Sequence, residues 1–234
     1  MTAASPTPPY TFKPSPYSSH TLMLRFLPEK GGARRVLDLG CTGGYLSSIL
    51  VERGFQVVGI DLPGSGRGDF PAGGRFLAAD LDAGLPELSS RFDFVLCGDV
   101  LEHLKNPLRL LLQIRSALAP GGVLVASLPN SGHFYFRLNV LAGRFPAQDR
   151  GLFDRTHLHF YTWSGWLGLF SRAGFAFSHV CPTATPFGLA LPQLGDTAGL
   201  LESASYRMAR VWSTLFAYQF VVVAQPVALE GEQQ

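Results

Sequence analysis

The length, composition and charge of the chain limit the classes of protein to which it can belong. With 234 residues, 47% hydrophobic and only 15% charged, it suits one large α/β domain with insertions, not a disordered, highly charged chain. A formal net charge of +2 and the lack of a run of Lys and Arg make nucleic acid a poor partner.

The cysteines and the N-terminal residues indicate where in the cell the protein is expected. Cys41, Cys97 and Cys181 are odd in number and widely spaced, with no C-x-x-C pair, so neither a disulfide framework nor a metal site is expected. The N-terminal residues lack the apolar core of a secretion signal, and no later apolar run reaches membrane-spanning length. We therefore expect a cytoplasmic protein without a membrane partner.

The chain begins with a proline-rich stretch. Prolines in residues 1–17 oppose a helix and predict a flexible N-terminal arm. Ser18 or Ser19 can then cap a helix that stops before Pro28, which opens a domain predicted to span residues 18–226. The last residues, 227–234, are expected to form a disordered tail.

The first predicted strand leads into a loop rich in glycine. Arg35–Leu39 resembles a buried strand, the helical pattern from Tyr45 lasts until Gly54, and Gln56–Asp61 forms a second strand with an acidic end. A strand, a helix and a second strand in this order predict a right-handed parallel crossover.

The alternation continues through the middle of the chain. We predict a short strand at Arg75–Ala79, a strand at Arg91–Cys97, a helix from Asn106 that is closed by Pro120–Gly122, and a fifth strand at Val123–Leu128. This pattern is typical of a doubly wound parallel sheet, in which ligands bind at the carboxyl ends of the strands.

After Asn130 the regular pattern loosens. Residues 131–161 contain four arginines among aromatic residues, and we interpret them as an insertion that caps the pocket after strand five. The remaining elements are a helix capped by Thr162, a strand at Phe175–Cys181, a helix at Asp196–Ser213 and a last strand at Phe216–Ala224.

The segment Val36–Tyr45, V-L-D-L-G-C-T-G-G-Y, has the pattern of a nucleotide cradle. Its glycines allow a tight turn and close approach of the main chain to a ligand, next to the free N–H groups of a helix. Asp61 ends the following strand, where a carboxylate can accept hydrogen bonds from ribose hydroxyls. A tight turn and a solvated strand end are the plain alternatives, but the combination favours ligand binding.

Two common nucleotide motifs do not fit this loop. The dinucleotide pattern G-x-G-x-x-G places glycines where this chain has Thr42 and Tyr45. The phosphate loop of ATPases ends in G-K-[ST], which is also missing.

Five segments in series resemble the motifs of the class I S-adenosylmethionine-dependent methyltransferases. They are Val36–Tyr45, Val57–Leu62, Leu77–Asp82, Asp93–His103 and Leu118–Asn130. The later segment Asp154–Thr162 is similar to the D-x-T-H-x-x-F-[FY]-T signature of a bacterial small-molecule subgroup. The resemblance implies a Rossmann-like α/β fold with a seven-stranded sheet whose last strand is antiparallel. One departure is Thr42, which occupies the position of the family's middle glycine.

The resemblance also assigns S-adenosylmethionine as the cofactor and suggests residues that bind it. Asp38 would orient its amino group, Asp61 would hold the ribose, and Asp80 would bind the adenine amino group. The full predicted set is Asp38, Gly40, Cys41, Thr42, Gly44, Tyr45, Asp61, Leu62, Asp80, Leu81, Cys97 and Gly98.

Two histidines are the candidates for catalysis. A sulfonium is already an activated electrophile, so the protein must mainly align the acceptor and exclude water, and a base is needed only if the acceptor carries a proton. His103 and His157 could serve as that base, although capping and packing are ordinary roles for histidine. Arg155, His159 and Tyr161 could shape the acceptor pocket, or could form only a strand-to-helix corner.

The predicted function is methyl transfer to a small-molecule acceptor, with oxygen favoured over nitrogen or carbon. The segment Cys97–Val100 replaces the N/D-P-P-Y/F motif expected of enzymes that methylate amino groups of DNA bases. A catalytically silent module that binds S-adenosylmethionine or S-adenosylhomocysteine is the main alternative, and a nicotinamide oxidoreductase is the third. The oligomeric state is left open.

Overall fold

In the computed structural model, residues 12–65 and 70–228 are described. The strands are β1 (Arg35–Leu39), β2 (Gln56–Asp61), β3 (Arg75–Ala78), β4 (Phe92–Gly98), β5 (Leu118–Pro129), β6 (Phe175–Pro182) and β7 (Gln219–Pro226). The helices are α1 (Ser19–Arg25), α2 (Tyr45–Glu52), α3 (Pro107–Ala117), α4 (Phe134–Leu141), α5 (Trp163–Arg172), α6 (Phe187–Ala190), α7 (Thr197–Val211) and α8 (Ser213–Phe216). None of the helices in these ranges has the length and apolar character needed to span a membrane.

The seven strands form one sheet in the order β3-β2-β1-β4-β5-β7-β6. Strands β1 to β5 pair in parallel, whereas β7 runs antiparallel to both β5 and β6. This confirms the predicted α/β fold, the seven strands and the antiparallel last strand.

Hydrophobic side chains fill both faces of the sheet. Successive residues of a strand point to opposite faces, so Leu37 joins the core beneath α3 and α5, while Val36 joins the core beneath α1 and α2. Trp166 of α5 is fully buried, and its indole N–H donates to the Pro129 carbonyl 2.8 Å away. The sheet is therefore packed on both faces, and this packing supports the edge where the strands end.

Two predicted boundaries are wrong, the first because of long-range strand pairing and the second because of a local helical turn. Pro120–Gly122 does not close α3 but lies within β5, where the pairing with β4 shifts between Phe92 and Phe94. A side chain on Gly122 would come within 2.7 Å of the Phe92 carbonyl oxygen, so glycine permits the irregularity. Phe216 belongs to α8, and β7 begins only at Gln219.

Residues 12–17 of the predicted N-terminal arm contact α7. Ser15 Oγ donates to Glu202 Oε2 at 2.6 Å, and the Tyr17 ring stacks on Tyr206 with 4.6 Å between centroids. Residues 1–11 and 229–234, which include the rest of the predicted arm and most of the predicted tail, lie outside the described residues. The predicted insertion at 131–161 contains α4.

Candidate cofactor and acceptor site

The ends of four parallel strands meet at one edge of the sheet. Leu39 of β1 pairs with Ile60 of β2 and with Cys97 of β4, and Asp61 pairs with Ala78 of β3. The segments that follow these strands therefore leave the sheet together, as expected for the ligand-binding edge of a parallel sheet. They carry most of the predicted cofactor residues.

The glycine loop needs glycine at specific positions. Gly40 has a φ of +67°, and a Cβ on it would lie 2.6 Å from Val100 Cγ2. The N–H groups of Gly40 and Cys41 both donate to the Ile60 carbonyl, which fixes the loop to β2. Gly44 has a φ of +74° at the start of α2, where a Cβ would contact Pro71 at 2.9 Å. These contacts leave no room for side chains, which fits a cradle that presents main-chain atoms.

Thr42 keeps the turn that glycine would make at the same position. Its φ of 47° lies in the left-handed region that β-branched residues rarely adopt. The Thr42 N–H donates to Asp61 Oδ2 at 2.6 Å, so this turn positions the ribose-binding candidate. The threonine hydroxyl turns back toward the Gly40 carbonyl at 3.4 Å.

Three acidic side chains were predicted at this edge, and each has a different environment. Asp61 is half-buried, and its Oδ1 accepts from the Leu62 N–H at 2.7 Å. Asp38 is buried and accepts from Ser47 Oγ at 2.7 Å; burial raises its pKa to about 6. Asp80 is exposed and its Oδ1 accepts from the Asp82 N–H at 2.9 Å.

The remaining predicted cofactor residues surround this edge with mixed exposure. Burial raises the pKa of the Cys41 and Cys97 thiols, so both are uncharged packing groups at neutral pH. Leu81 is buried and Leu62 is exposed. Tyr45 Oη lies 3.3 Å from Nε2 of His20, a buried histidine of α1.

The two candidate bases meet beside a buried carboxyl group. The rings of His103 and His157 are 4.7 Å apart, and His157 Nε2 lies 3.8 Å from Glu102 Oε1. Both carboxyl oxygens of Glu102 are buried without a hydrogen-bond partner in the part of the chain that the structure describes. Ligand atoms of the three side chains lie within 4.8 Å of one another, a spacing that could also hold a metal ion.

Burial favours the uncharged forms of two members of this cluster, His157 and Glu102. Burial, followed by the neighbouring His103, lowers the pKa of His157 to about 4. Burial, followed by the charge of Asp99, raises the pKa of Glu102 well above its ordinary value. At neutral pH the imidazole of His157 is therefore neutral and able to accept a proton.

Of the three predicted acceptor residues, His159 and Tyr161 contact each other, whereas Arg155 is paired elsewhere. His159 Nε2 donates to the Leu104 carbonyl at 2.9 Å, and its ring stacks on Tyr161. The exposed guanidinium of Arg155 forms an ion pair with Asp149 at 2.6 Å. The role of these residues in acceptor binding stays a prediction.

Two acidic residues of the site were not singled out from the sequence. Glu102 stands beside His103 in the chain, but its burial depends on the segment that packs over it. Asp99, with a φ of 54°, accepts hydrogen bonds from Ser127 Oγ and Gln219 Nε2. Burial opposes its ionisation, yet Lys13 and these hydrogen bonds lower the pKa of Asp99 overall. In the sequence, the one signal that Asp99 belongs to the site was its position directly after β4.

A separate open groove of about 830 Å³ lies along α3. Its walls come from residues 85–91 and from α3, and none of the predicted site residues lines it. The groove is therefore not part of the candidate site.

The fold and the site define the class of the protein, and comparison with known proteins agrees. A parallel sheet with an antiparallel β7, a glycine loop after β1 and an acidic residue at the end of β2 form the Rossmann-like frame of the class I methyltransferases. The family model described as "Methyltransferase domain" matches residues 16–180, and the chain belongs to this family. Its cofactor is S-adenosyl-L-methionine.

The individual proteins that resemble this chain share less than a third of its residues in the aligned regions. A ubiquinone biosynthesis O-methyltransferase of Pseudomonas aeruginosa is 28% identical over 160 residues, which cover 61% of this chain and 66% of that protein. A methyltransferase structure from Mesorhizobium loti is 24% identical with a TM-score of 0.59, covering 88% of this chain and 97% of that one. The magnesium protoporphyrin IX methyltransferase of Synechocystis, solved with S-adenosylhomocysteine, is 17% identical with a TM-score of 0.57, covering 89% and 80%.

Proposed function

We propose that the protein transfers the methyl group of S-adenosylmethionine to a hydroxyl oxygen of a small-molecule acceptor. The observation that carries this proposal is the cluster of the buried Glu102 with the half-buried His103 and His157, which follows the end of β4. The name of the Pseudomonas relative, an O-methyltransferase, agrees with oxygen as the acceptor atom.

The residues of this chain fit the cofactor. The loop from Gly40 to Gly44 would meet its amino acid end through main-chain atoms, and Asp61 would accept hydrogen bonds from the ribose. Positive φ angles and the lack of space for side chains at Gly40 and Gly44 support this assignment. When bound, the cofactor supplies an activated methyl group.

The chemistry left to the protein is alignment of the acceptor and removal of its proton. His157 is neutral at neutral pH, because its pKa is lowered to about 4, and it can accept a proton from an acceptor hydroxyl. The Glu102 carboxyl lies 3.8 Å from the imidazole, and the positive charge that then forms would favour ionisation of this carboxyl group. His103 packs edge-on against His157 and orients its ring.

The surroundings of His157 favour an aromatic or apolar acceptor over an anionic one. The Phe160 ring lies 5.9 Å from His157 and 5.1 Å from Phe145, within a larger group of aromatic rings. Arg155 is exposed and already paired with Asp149. The side chains that can contact an acceptor near the base are therefore mainly aromatic.

Binding and turnover test the proposal separately. Thermal-shift measurements with S-adenosylmethionine, S-adenosylhomocysteine and NAD should show stabilisation by the first two only. Incubation with S-adenosylmethionine and a panel of phenols, carboxylic acids and amines should release S-adenosylhomocysteine with hydroxylated aromatic compounds. Turnover with amines alone would contradict O-methylation. Binding without turnover across the panel would favour the silent-module alternative, and protection by NAD alone would overturn the cofactor assignment.

A further inference from the structure

An exposed apolar surface lies on helix α4 and the turn that follows it. Helix α4 has a single buried residue, Phe136. Leu138 and Leu141 are 58% and 85% exposed, and Phe145 after the helix is 57% exposed. Single exposed leucines are normal on a protein surface, but a run of large apolar side chains on one short segment marks an interaction site.

The surface continues onto the junction of α7 and α8. The Phe134 ring lies 5.8 Å from Phe216, and Phe216 lies 6.2 Å from Trp212. Val211 and Trp212 are 90% and 57% exposed. We call this set the α4/α8 surface; its members are Phe134, Leu138, Leu141, Phe145, Val211 and Trp212.

The two chain segments that carry the α4/α8 surface contain arginines and no acidic residue. Residues 131–148 contain Arg137 and Arg144 but no Asp or Glu, and residues 203–218 contain Arg207 and Arg210 with no acidic residue. All four arginines are exposed. The flanking acids are engaged elsewhere: Asp149 pairs with Arg155, and Glu202 accepts hydrogen bonds from Ser15 and the Gly188 N–H.

We propose that the α4/α8 surface binds the surface of a lipid bilayer that carries anionic headgroups. Leucine, phenylalanine and tryptophan side chains can enter the acyl boundary while neighbouring arginines meet lipid phosphates, a combination typical of interfacial membrane binding. A two-fold dimer through the same surface would bring its arginines against one another, which disfavours self-association. This partner departs from the sequence expectation of no membrane, which considered only spanning segments and signals.

The α4/α8 surface adjoins the candidate acceptor site. Phe145 of the surface packs edge-on against Phe160 at 5.1 Å, and Phe160 packs against His157 at 5.9 Å. A bilayer at this surface would therefore lie next to the aromatic rings that contact His157. Membrane binding itself does not depend on the proposed methyl transfer.

Co-sedimentation of the full chain with vesicles tests the proposal. We expect binding to vesicles of phosphatidylcholine with phosphatidylglycerol, weaker binding to phosphatidylcholine alone, and loss of the difference at high salt. The double variant Leu138→Ser/Leu141→Ser should bind the anionic vesicles at least about tenfold more weakly, since burying even one leucine side chain outweighs a tenfold change in affinity. Arg137→Gln/Arg144→Gln should weaken binding only to the anionic vesicles.

A matched control separates the α4/α8 surface from general hydrophobicity. Leu112→Ser/Leu167→Ser changes two exposed leucines of α3 and α5 and should bind like the unchanged protein. Circular dichroism and melting temperature should show that every variant is folded. Absence of vesicle binding, or equal loss in the control, would overturn the proposal. Light scattering that shows a dimer dissociated by Leu138→Ser/Leu141→Ser would instead identify the surface as a contact between copies of the chain.

Discussion

His157 Nε2 lies 3.8 Å from Glu102 Oε1, although the two residues belong to separate segments of the chain. Main-chain bonds hold these segments together, because the N–H groups of Leu158 and His159 both donate to the Glu102 carbonyl. The pair is thus positioned by the backbone and not by a bond between its own side chains. A substitution of the His157 side chain should therefore change the chemistry of the site more than its structure.

His157→Gln should lower kcat by about 10²-fold or more if the imidazole is the general base. Because the pKa of His157 is lowered to about 4, the kcat/KM of the unchanged enzyme should fall only as the pH approaches about 4, and the variant should lack this decline. Steady-state kinetics with an acceptor found in the panel, measured across pH, checks both expectations.

A histidine on β6 provides the control for this substitution. His179 is exposed, so His179→Gln should leave kcat and the pH profile unchanged. An unchanged kcat in His157→Gln would show that His157 is not the base. A melting temperature close to that of the unchanged enzyme is required for either conclusion.

Asp61→Ala should weaken binding of S-adenosylhomocysteine by about tenfold to a hundredfold, the range expected for lost hydrogen bonds to a charged group. The substitution also removes the acceptor for the Thr42 N–H, so the loop loses one of its hydrogen bonds to β2 and keeps those to the Ile60 carbonyl. Isothermal titration calorimetry measures the change in Kd directly.

Asp93→Ala is the matched control for Asp61→Ala. Asp93 Oδ2 also accepts from a main-chain N–H, that of Arg35, but at the start of β1, away from the strand ends that carry the site. Its removal should leave the Kd unchanged. If Asp61→Ala binds S-adenosylhomocysteine like the unchanged protein, the site assignment is wrong.

Gly40→Ala should destabilise the protein by about 2 kcal/mol and weaken cofactor binding. The new Cβ would sit at a φ of +67° and 2.6 Å from Val100 Cγ2, which combines backbone strain with a steric clash.

Gly43→Ala is the comparison in the same loop, since a Cβ there has no neighbour within 4 Å among the described residues. Urea denaturation should place Gly43→Ala within about 0.5 kcal/mol of the unchanged protein. Equal effects of both changes would contradict the loop geometry.

His133 should make the folded protein less stable in acid. Burial lowers its pKa from 6.5 to about 4, so between these values the unfolded chain binds more protons than the folded protein. This contribution to stability is complete above pH 6.5 and is lost as the pH falls toward 4. At pH 5 the loss is about 2 kcal/mol, since one pKa unit is worth about 1.4 kcal/mol.

His133→Asn isolates that contribution. His133 caps α4, because its Nδ1 accepts from the Tyr135 N–H, and asparagine can cap a helix in the same way. The difference in unfolding free energy between pH 7 and pH 5 should therefore shrink by about 2 kcal/mol in the variant. An unchanged difference, measured by urea denaturation at the two pH values, would show that His133 is not held neutral. His20 and His157 also have lowered pKa values and act in the same direction, whereas Asp38 acts in the opposite one.

The fold and the cofactor edge could be predicted from the sequence because their signals are local. Apolar strands, helical periodicity and the glycines after β1 occupy contiguous stretches, and parallel strands bring their carboxyl ends to the same edge whatever the exact register. Asp61 could be identified for the same reason, since it ends the strand that follows the loop. Gly40 and Gly44 do adopt the positive φ angles that the motif requires.

The tertiary structure alone decided the features that depend on distant residues. The bulge at Pro120–Gly122 arises from pairing with β4, and the burial of Glu102 arises from the segment that carries His157. The aromatic residues after Asn130 suggested a cover over the pocket, yet composition does not reveal which side chains a helix exposes. Leu141 at the end of α4 and Trp212 before α8 are exposed, and only three-dimensional packing determines that.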